Sequence, residues 1–194
     1  MPVSLMNDSD GYIYQVWAQE QASSCAVASI WMARGQARQM TINQDEWHLA
    51  WAIYSRVVQH MLLVPEPPAG QTFDPASHPA DQNTFGDMFA SAGTYMDQVA
   101  QAMSNEGLTT SKTAFSPGIT VSPSKLADAT PAIVLLGWYS GGNRNGGHFI
   151  VASRVNSSGQ IVYLDPWQGR LRERGPGPAY VGTGIFAQVL YVST

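Results

Sequence analysis

Apolar residues recur at helical spacing through the first half of the chain. Ser23 and Ser24 are good N-cap residues, and residues 26–39 combine strong helix formers with apolar side chains three and four positions apart. We therefore predict a helix over residues 26–39, with Cys25 in its first turn. Residues 11–18 alternate between polar and apolar side chains, which predicts a short strand leading towards this helix.

Three further segments before residue 108 have the caps or the periodicity of helices: residues 43–61, residues 84–92 and residues 94–107. Thr41 or Asn43 provides the cap of the first segment. Thr94 provides the cap of the last, and Gly107 ends it. Residues 64–82 are rich in proline and have almost no periodicity, which indicates a long surface loop.

After residue 107 the pattern changes to the short apolar runs of β-strands. The predicted strands are residues 109–115, 132–136, 148–155, 160–164 and 184–192, with a short helix over residues 122–127. Residues 156–159 have a tight-turn sequence, so the strands on either side of them should form a hairpin. Helices followed by antiparallel strands predict an α+β fold. We expect one domain over residues 1–194, with a helical half at about 19–107 and a β half at about 108–194.

Composition narrows the range of partners. The chain has 194 residues, which is enough to bury a core without a disulfide, and it carries a formal charge of −4 with 12% charged residues. A low and slightly acidic charge provides no basic surface for nucleic acid, so we expect no nucleic-acid partner. The N-terminal residues lack a Sec signal, and no apolar run has the length of a membrane span.

Cys25 is the only cysteine in the chain and cannot form an internal disulfide. A lone cysteine is often a small buried apolar residue. At the start of a helix, however, unpaired N–H groups and the helix dipole stabilise a thiolate, which is the nucleophilic form. Cys25 is therefore either structural or a nucleophile. A nucleophile would need a base, a residue that orients the base, and donors for an oxyanion.

His148 is the histidine whose surroundings suit a base. It begins a predicted core strand, and the small residues Gly146 and Gly147 before it would let a substrate backbone approach the imidazole. The remaining histidines fall on a predicted helix away from its apolar stripe or in the proline-rich loop, and we interpret them as solvated groups: His48, His60 and His78. The histidines lack the spacing of metal ligands, so no metal or other cofactor is expected.

Asp165 ends the strand that is predicted to pair with the strand of His148. From that position its carboxylate would reach the imidazole nitrogen that does not face Cys25, fix the tautomer and stabilise the imidazolium. Trp167, two residues later, would shield this hydrogen bond from water. The alternative is that Asp165, Pro166 and Trp167 form only a turn, since Asp before Pro is common in turns.

The order of these residues resembles that of the papain-like cysteine proteases. Four residues match the family's nucleophile, base, orienting residue and shielding tryptophan in that order: Cys25, His148, Asp165 and Trp167. Gln19, six residues before the cysteine, matches the side-chain donor of the oxyanion hole, and Gln21 is a second candidate for that role. In pattern the chain is most similar to short bacterial members, the bacteriocin-leader peptidases and the effector proteases injected into host cells.

The resemblance implies a papain-like fold and a cysteine protease that hydrolyses peptide bonds through an acyl-enzyme. The same residues would also serve a papain-like deamidase or transglutaminase, a cell-wall amidase toxin, or a catalytically inert binding domain. The expected partners are a peptide or protein substrate and an inhibitor or immunity protein. The expected location is the cytoplasm, or a target cell reached through a specialised secretion system.

Three segments are predicted to be loops near the surface. Residues 65–83 and residues 140–147 would form the walls of the substrate cleft. Residues 169–182 carry Arg170, Arg172 and Arg174 among prolines and glycines, and we interpret them as a solvated loop rather than a site for an acidic partner.

Overall fold

A computed structural model describes residues 3–41, 46, 94–113, 118–128, 130–180 and 184–194. The strands are β1 (Val3–Asn7), β2 (Ile13–Trp17), β3 (Thr109–Lys112), β4 (Ala132–Ser140), β5 (Asn143–Val155), β6 (Ile161–Asp165), β7 (Arg170–Arg174) and β8 (Ile185–Ser193). The helices are α1 (Cys25–Arg38), α2 (Met96–Asn105) and α3 (Pro123–Leu126).

Strands β3 to β8 form one antiparallel sheet of six strands in the order β3-β8-β4-β5-β6-β7. Strands β1 and β2 form a separate antiparallel hairpin. The mixture of helices with an antiparallel sheet agrees with the expected α+β class. The predicted hairpin around residues 156–159 is confirmed, since β5 and β6 pair on either side of that turn.

The sheet buries apolar side chains on both faces, because successive residues of a strand point in opposite directions. One face, which includes Val151 and Leu164, packs against α1, α2 and β2. The other face, which includes Ile150 and Tyr163, packs against α3 and Tyr180. The central strands are therefore held from both sides and form a rigid support for side chains at their ends.

Helix α1 lies within the core rather than on its surface. Every residue from Ala26 to Ala33 is buried, and the small alanines among them let neighbouring elements approach the helix closely. Trp31 packs against Trp17 of β2, with ring centroids 4.4 Å apart. The predicted helix is confirmed, beginning at Cys25 and ending one residue early, at Arg38. Burial of residues 26–33 on all sides fixes the N-terminal part of the helix and therefore the position of Cys25.

The predicted loop over residues 140–147 is wrong. Strands β4 and β5 continue through this segment, and only Gly141 and Gly142 form the turn between them. The two glycines have φ angles of +58° and +82°, which suit the tight hairpin turns that glycine favours. The glycines that precede His148 are therefore strand residues and not part of a loop.

The predicted surface loop over residues 169–182 is also wrong in its first part, because residues Arg170–Arg174 form β7 at the edge of the sheet. Proline and glycine in the rest of the segment concealed this short strand, which pairs with β6 along its whole length. Two smaller differences concern the cap of a helix and a short strand. Helix α2 has Tyr95 rather than Thr94 as its N-cap residue, and β1 was not predicted.

Some predictions lie outside the described residues. They are the helix over residues 43–61 apart from Glu46, the helix over residues 84–92, and the loop over residues 64–82, including its place in a cleft wall. Within the part of the chain that the structure describes, no helix is long and apolar enough to cross a membrane.

Candidate active site

Cys25 is the first residue of α1 and is partly exposed. The first N–H groups of a helix have no partner inside the helix, and the positive end of the helix dipole lies beside them. Ser24 occupies the N-cap position, but its side chain makes no capping hydrogen bond to the helix. The N-terminal end of α1 therefore provides donors for a negative charge close to Cys25.

His148 and Asp165 are joined by a hydrogen bond between β5 and β6. The imidazole Nε2 donates to Asp165 Oδ1 over a distance of 2.7 Å. Both residues belong to the face of the sheet that carries Ile150 and Tyr163, because side chains of one strand two positions apart share a face. With Nε2 bound to the carboxylate, Nδ1 is the imidazole nitrogen left for the contact with Cys25.

The charges of these three side chains are coupled. Burial lowers the pKa of His148, but hydrogen bonds with Asp165 and Cys25, together with the charges of the same two groups, raise this pKa to about 9. Burial raises the pKa of Asp165, but the hydrogen bond and charge of His148 hold it below its ordinary value. The imidazole is therefore protonated at neutral pH, which is the state that stabilises a thiolate at Cys25.

Both oxygens of the Asp165 carboxylate have partners, so its orientation is fixed. Oδ1 also accepts a hydrogen bond from the backbone N–H of Trp167, at 2.9 Å. Oδ2 accepts a hydrogen bond from the hydroxyl of Tyr180, at 3.1 Å, and lies 3.8 Å from Nε of Arg172. Asp165 thus contacts His148 and is also held by the backbone of the turn after β6, by β7 and by the segment before β8.

Two tryptophans flank His148. The ring centroid of Trp167 lies 6.5 Å from that of His148, edge to face, and the centroid of Trp138 lies 6.4 Å from it. Trp138 stands on β4 opposite Gly146, where a Cβ would come within 3.3 Å of the indole. The sequence analysis missed Trp138 because the predicted strand stopped at residue 136. A strand extended to residue 140 would have included Trp138.

The glycine before His148 serves packing within the sheet. A Cβ at Gly147 would lie 3.0 Å from the backbone oxygen of Leu136 and 3.2 Å from the side chain of Leu135. At these distances Leu136 or Leu135 would have to move by a few tenths of an ångström to accommodate a Cβ. Gly147 and Gly146 also line the cavity beside His148. The approach of a substrate backbone to the imidazole over these glycines stays a prediction.

Gln19 lines the same cavity as Cys25, but its amide donates elsewhere. Its Nε2 lies 2.8 Å from the carbonyl oxygen of Gln21 and 3.1 Å from that of Ala22. Its backbone N–H donates to the carbonyl of Pro166, at 3.0 Å, which joins the loop before α1 to the turn after β6. Among the described residues that line the cavity, Gln19 is present and Gln21 is not.

Glu46 is a buried carboxyl group beside residues 18–24, the nucleophile loop. It is 1% exposed and accepts hydrogen bonds from Trp17 Nε1 at 2.8 Å, the Glu20 N–H at 2.9 Å and Ser24 Oγ at 2.6 Å. Burial raises its pKa to about 7, although these donors act in the opposite direction. Sequence reasoning missed this role because the three partners lie 22 to 29 residues earlier. Glu46 ties β2, the nucleophile loop and the start of α1 together.

The cavity beside these residues has a volume of about 650 Å³. It brings together Cys25, His148, Asp165, Trp167 and Gln19, the side chains that the sequence singled out. A nucleophile, a base and a carboxylate in one cavity are the groups required for acyl transfer. Among the residues that the structure describes, no three His, Cys, Asp or Glu side chains are grouped so as to hold a metal ion.

Comparison with known proteins gives no family for this chain. No protein-family model matches the sequence, and no curated protein matches it.

We expect the pKa of His148, measured by NMR titration of the imidazole C–H resonances, to lie near 9. The resonance is assigned as the one absent from His148→Ala. Asp165→Asn should lower this pKa, because it removes the carboxylate charge that stabilises the imidazolium. Cys25→Ser should lower it as well. A pKa near 6.5 that neither variant changes would contradict the coupling described above.

We expect Glu46→Ala to lower the free energy of unfolding by roughly 2–4 kcal/mol, because two buried donors and one part-buried donor lose their acceptor. Glu46→Gln keeps one acceptor oxygen and should lose less. Urea denaturation measures both values. Asp97, whose side chain is 82% exposed, provides the control: Asp97→Ala should change the free energy by less than about 0.5 kcal/mol. Equal effects of the two alanine variants would show that Glu46 does not hold the loop.

Proposed function

We propose that this protein is a cysteine peptidase with Cys25, His148 and Asp165 as its catalytic triad. The observation that carries the proposal is the hydrogen bond between the Asp165 carboxylate and the His148 imidazole, with Cys25 lining the same cavity as both residues. A thiol next to a base that is oriented by a carboxylate is the arrangement that nucleophilic catalysis requires. The helix N-terminus adds stabilisation of the thiolate.

In the proposed reaction, the Cys25 thiolate attacks the carbonyl carbon of the scissile peptide bond, and the carbonyl oxygen becomes an oxyanion. The backbone N–H of Cys25 is one donor to this oxyanion. The amide of Gln19 is the second donor, once the substrate oxygen replaces one of the two loop carbonyls as its acceptor. His148 then gives its proton to the leaving amine, the C–N bond breaks, and a thioester remains on Cys25.

Water completes the reaction. Neutral His148 accepts a proton from a water molecule, whose oxygen adds to the thioester carbonyl, and Cys25 leaves as a thiolate with release of the carboxylic acid product. Asp165 holds the imidazole in the required tautomer and stabilises its charged form in both steps. The near-perpendicular packing of Trp167 and the imidazole supports the proposed role of Trp167 as a shield of the His148–Asp165 hydrogen bond.

The papain-like fold is part of the proposal. It is supported by a nucleophile at the start of a buried helix, and by a base and a carboxylate on neighbouring strands of the antiparallel sheet that packs against this helix. Peptides or proteins are the proposed substrates. The role of a bacterial effector or processing peptidase, with an inhibitor or immunity protein as a partner, extends the same proposal.

We expect the wild type to cleave an unfolded protein or a mixed peptide library, with new N-termini detected by mass spectrometry. Cys25→Ala and His148→Ala should abolish cleavage, and Asp165→Asn should reduce kcat/KM by roughly a hundredfold or more, because it removes the orientation and charge support of the imidazole. Asp97→Asn removes an exposed carboxylate of α2 and should leave the rate unchanged.

Two outcomes would overturn the proposal. If iodoacetamide alkylates Cys25 only near pH 8.5, the ordinary range of a free thiol, and with no dependence on His148, then Cys25 is not activated. If the wild type converts side-chain amides to acids or to cross-links and leaves the peptide backbone intact, the site belongs to a deamidase or a transglutaminase.

A further inference from the structure

Arg172 is a cationic residue directly behind the carboxylate of the site. It stands on β7 opposite Tyr163 of β6, and Asp165 lies two residues after Tyr163 on the same face. The Arg172 side chain is 23% exposed and lines the cavity, with Nε 3.8 Å from Asp165 Oδ2. This Nε is buried and has no hydrogen-bond partner. Its position is explained by the charge of Asp165 rather than by a hydrogen bond.

In the thiolate–imidazolium state that the proposed function requires, the charges of the site are unbalanced without Arg172. A thiolate, an imidazolium and a carboxylate sum to one negative charge, and the side chains of His148 and Asp165 are only 12% and 7% exposed. An uncompensated charge in a buried cluster is unfavourable, because little solvent is present to stabilise it. The guanidinium of Arg172 brings the sum to zero.

We propose that Arg172 is a positioning residue of this site, which holds Oδ2 of Asp165 together with Tyr180 and balances the negative charge of the Cys25–His148–Asp165 set. This inference rests on the proposed function, because it assigns a role in the same reaction. The positive charge stabilises the thiolate and opposes the imidazolium. It therefore sets the pH range in which the charged pair exists.

Other charged and titratable groups face the same set from the elements packed around it. Those in the described residues include Arg144 of β5, Tyr163 of β6, Tyr180, and Arg170 and Arg174 of β7, with Arg170 directly opposite Asp165. Arg144 is exposed, and Arg174 affects the hydroxyl of Tyr180. For Arg172 the structure shows an ion pair with the carboxylate itself, at 3.8 Å.

The test is the pH dependence of two rates, alkylation of Cys25 by iodoacetamide and kcat/KM on a peptide cleaved by the wild type. We expect Arg172→Gln to move both limbs of the kcat/KM profile, and the onset of alkylation, to higher pH by about 0.5–1 unit. Without the positive charge of the guanidinium, the thiolate is less stable and the imidazolium is more stable, so both groups lose their protons at higher pH. Arg172→Lys keeps the charge and should restore most of the wild-type profile.

Arg170→Gln is the matched control. Arg170 is an exposed arginine of the same strand and lies opposite Asp165, but its guanidinium donates to the side chain of Gln168. The same alkaline shift in this control would show a general effect of surface charge and overturn the proposal. A lower rate at every pH without a shift in Arg172→Gln would also overturn it, since that result indicates only structural support. Arg172→Met is the second neutral variant, and failure of both neutral variants to fold would count against the proposal.

The two readouts separate this inference from the proposed function. Peptide cleavage by the wild type with unshifted profiles in Arg172→Gln would leave the peptidase and remove the role of Arg172. An alkaline shift of alkylation in a protein that cleaves no peptide would remove the peptidase and leave the role of Arg172 in the charge balance.

Discussion

The hydrogen bond between His148 and Asp165 depends on the register of β5 and β6, and the rest of the site depends on that hydrogen bond. The register shifts at Ser153, where β5 has one residue more than β6. Because side chains alternate along a strand, a slip of one residue would turn His148 away from Asp165. The hydroxyl of Ser153 donates to the side chain of Gln36 in α1. The helix that carries Cys25 therefore also holds the register that aligns the base.

The nucleophile loop is fixed to the sheet at one point and to Glu46 at another. At the first point, the N–H of Gln19 donates to the carbonyl of Pro166, and Gly169 lies against Ala18. Gly169 has a φ of +59°, and a Cβ there would come within 3.0 Å of the Ala18 side chain, so glycine meets both a conformational and a packing requirement. The separation of Cys25 from its base is thus set by the folded chain before any substrate binds.

Local signals in the sequence predicted α1, most strands and the hairpin that joins His148 to Asp165. The signals failed where a structure depends on distant partners. Strand β7, which carries Arg172, forms because it pairs with β6 at the edge of the sheet. Three arginines beside prolines and glycines do not indicate a strand that depends on such a partner. The role of Glu46 was missed for the same reason, because its hydrogen-bond donors lie 22 to 29 residues earlier in the chain. The side-chain amide of Gln19 donates to carbonyls of its own loop. The spacing between Gln19 and Cys25 in the sequence does not predict these acceptors.

Asp165 and Glu46 show how the partners of a buried carboxyl group decide its chemistry. Burial raises the pKa of both, but Asp165 faces His148, whose hydrogen bond and charge hold the pKa of Asp165 below its ordinary value. The donors to Glu46 are neutral, and its pKa rises to about 7. A carboxylate that stays charged can stabilise an imidazolium, whereas one that is easily protonated cannot do so reliably at neutral pH. The environments of the two groups therefore suit Asp165 to charge stabilisation and Glu46 to holding the loop.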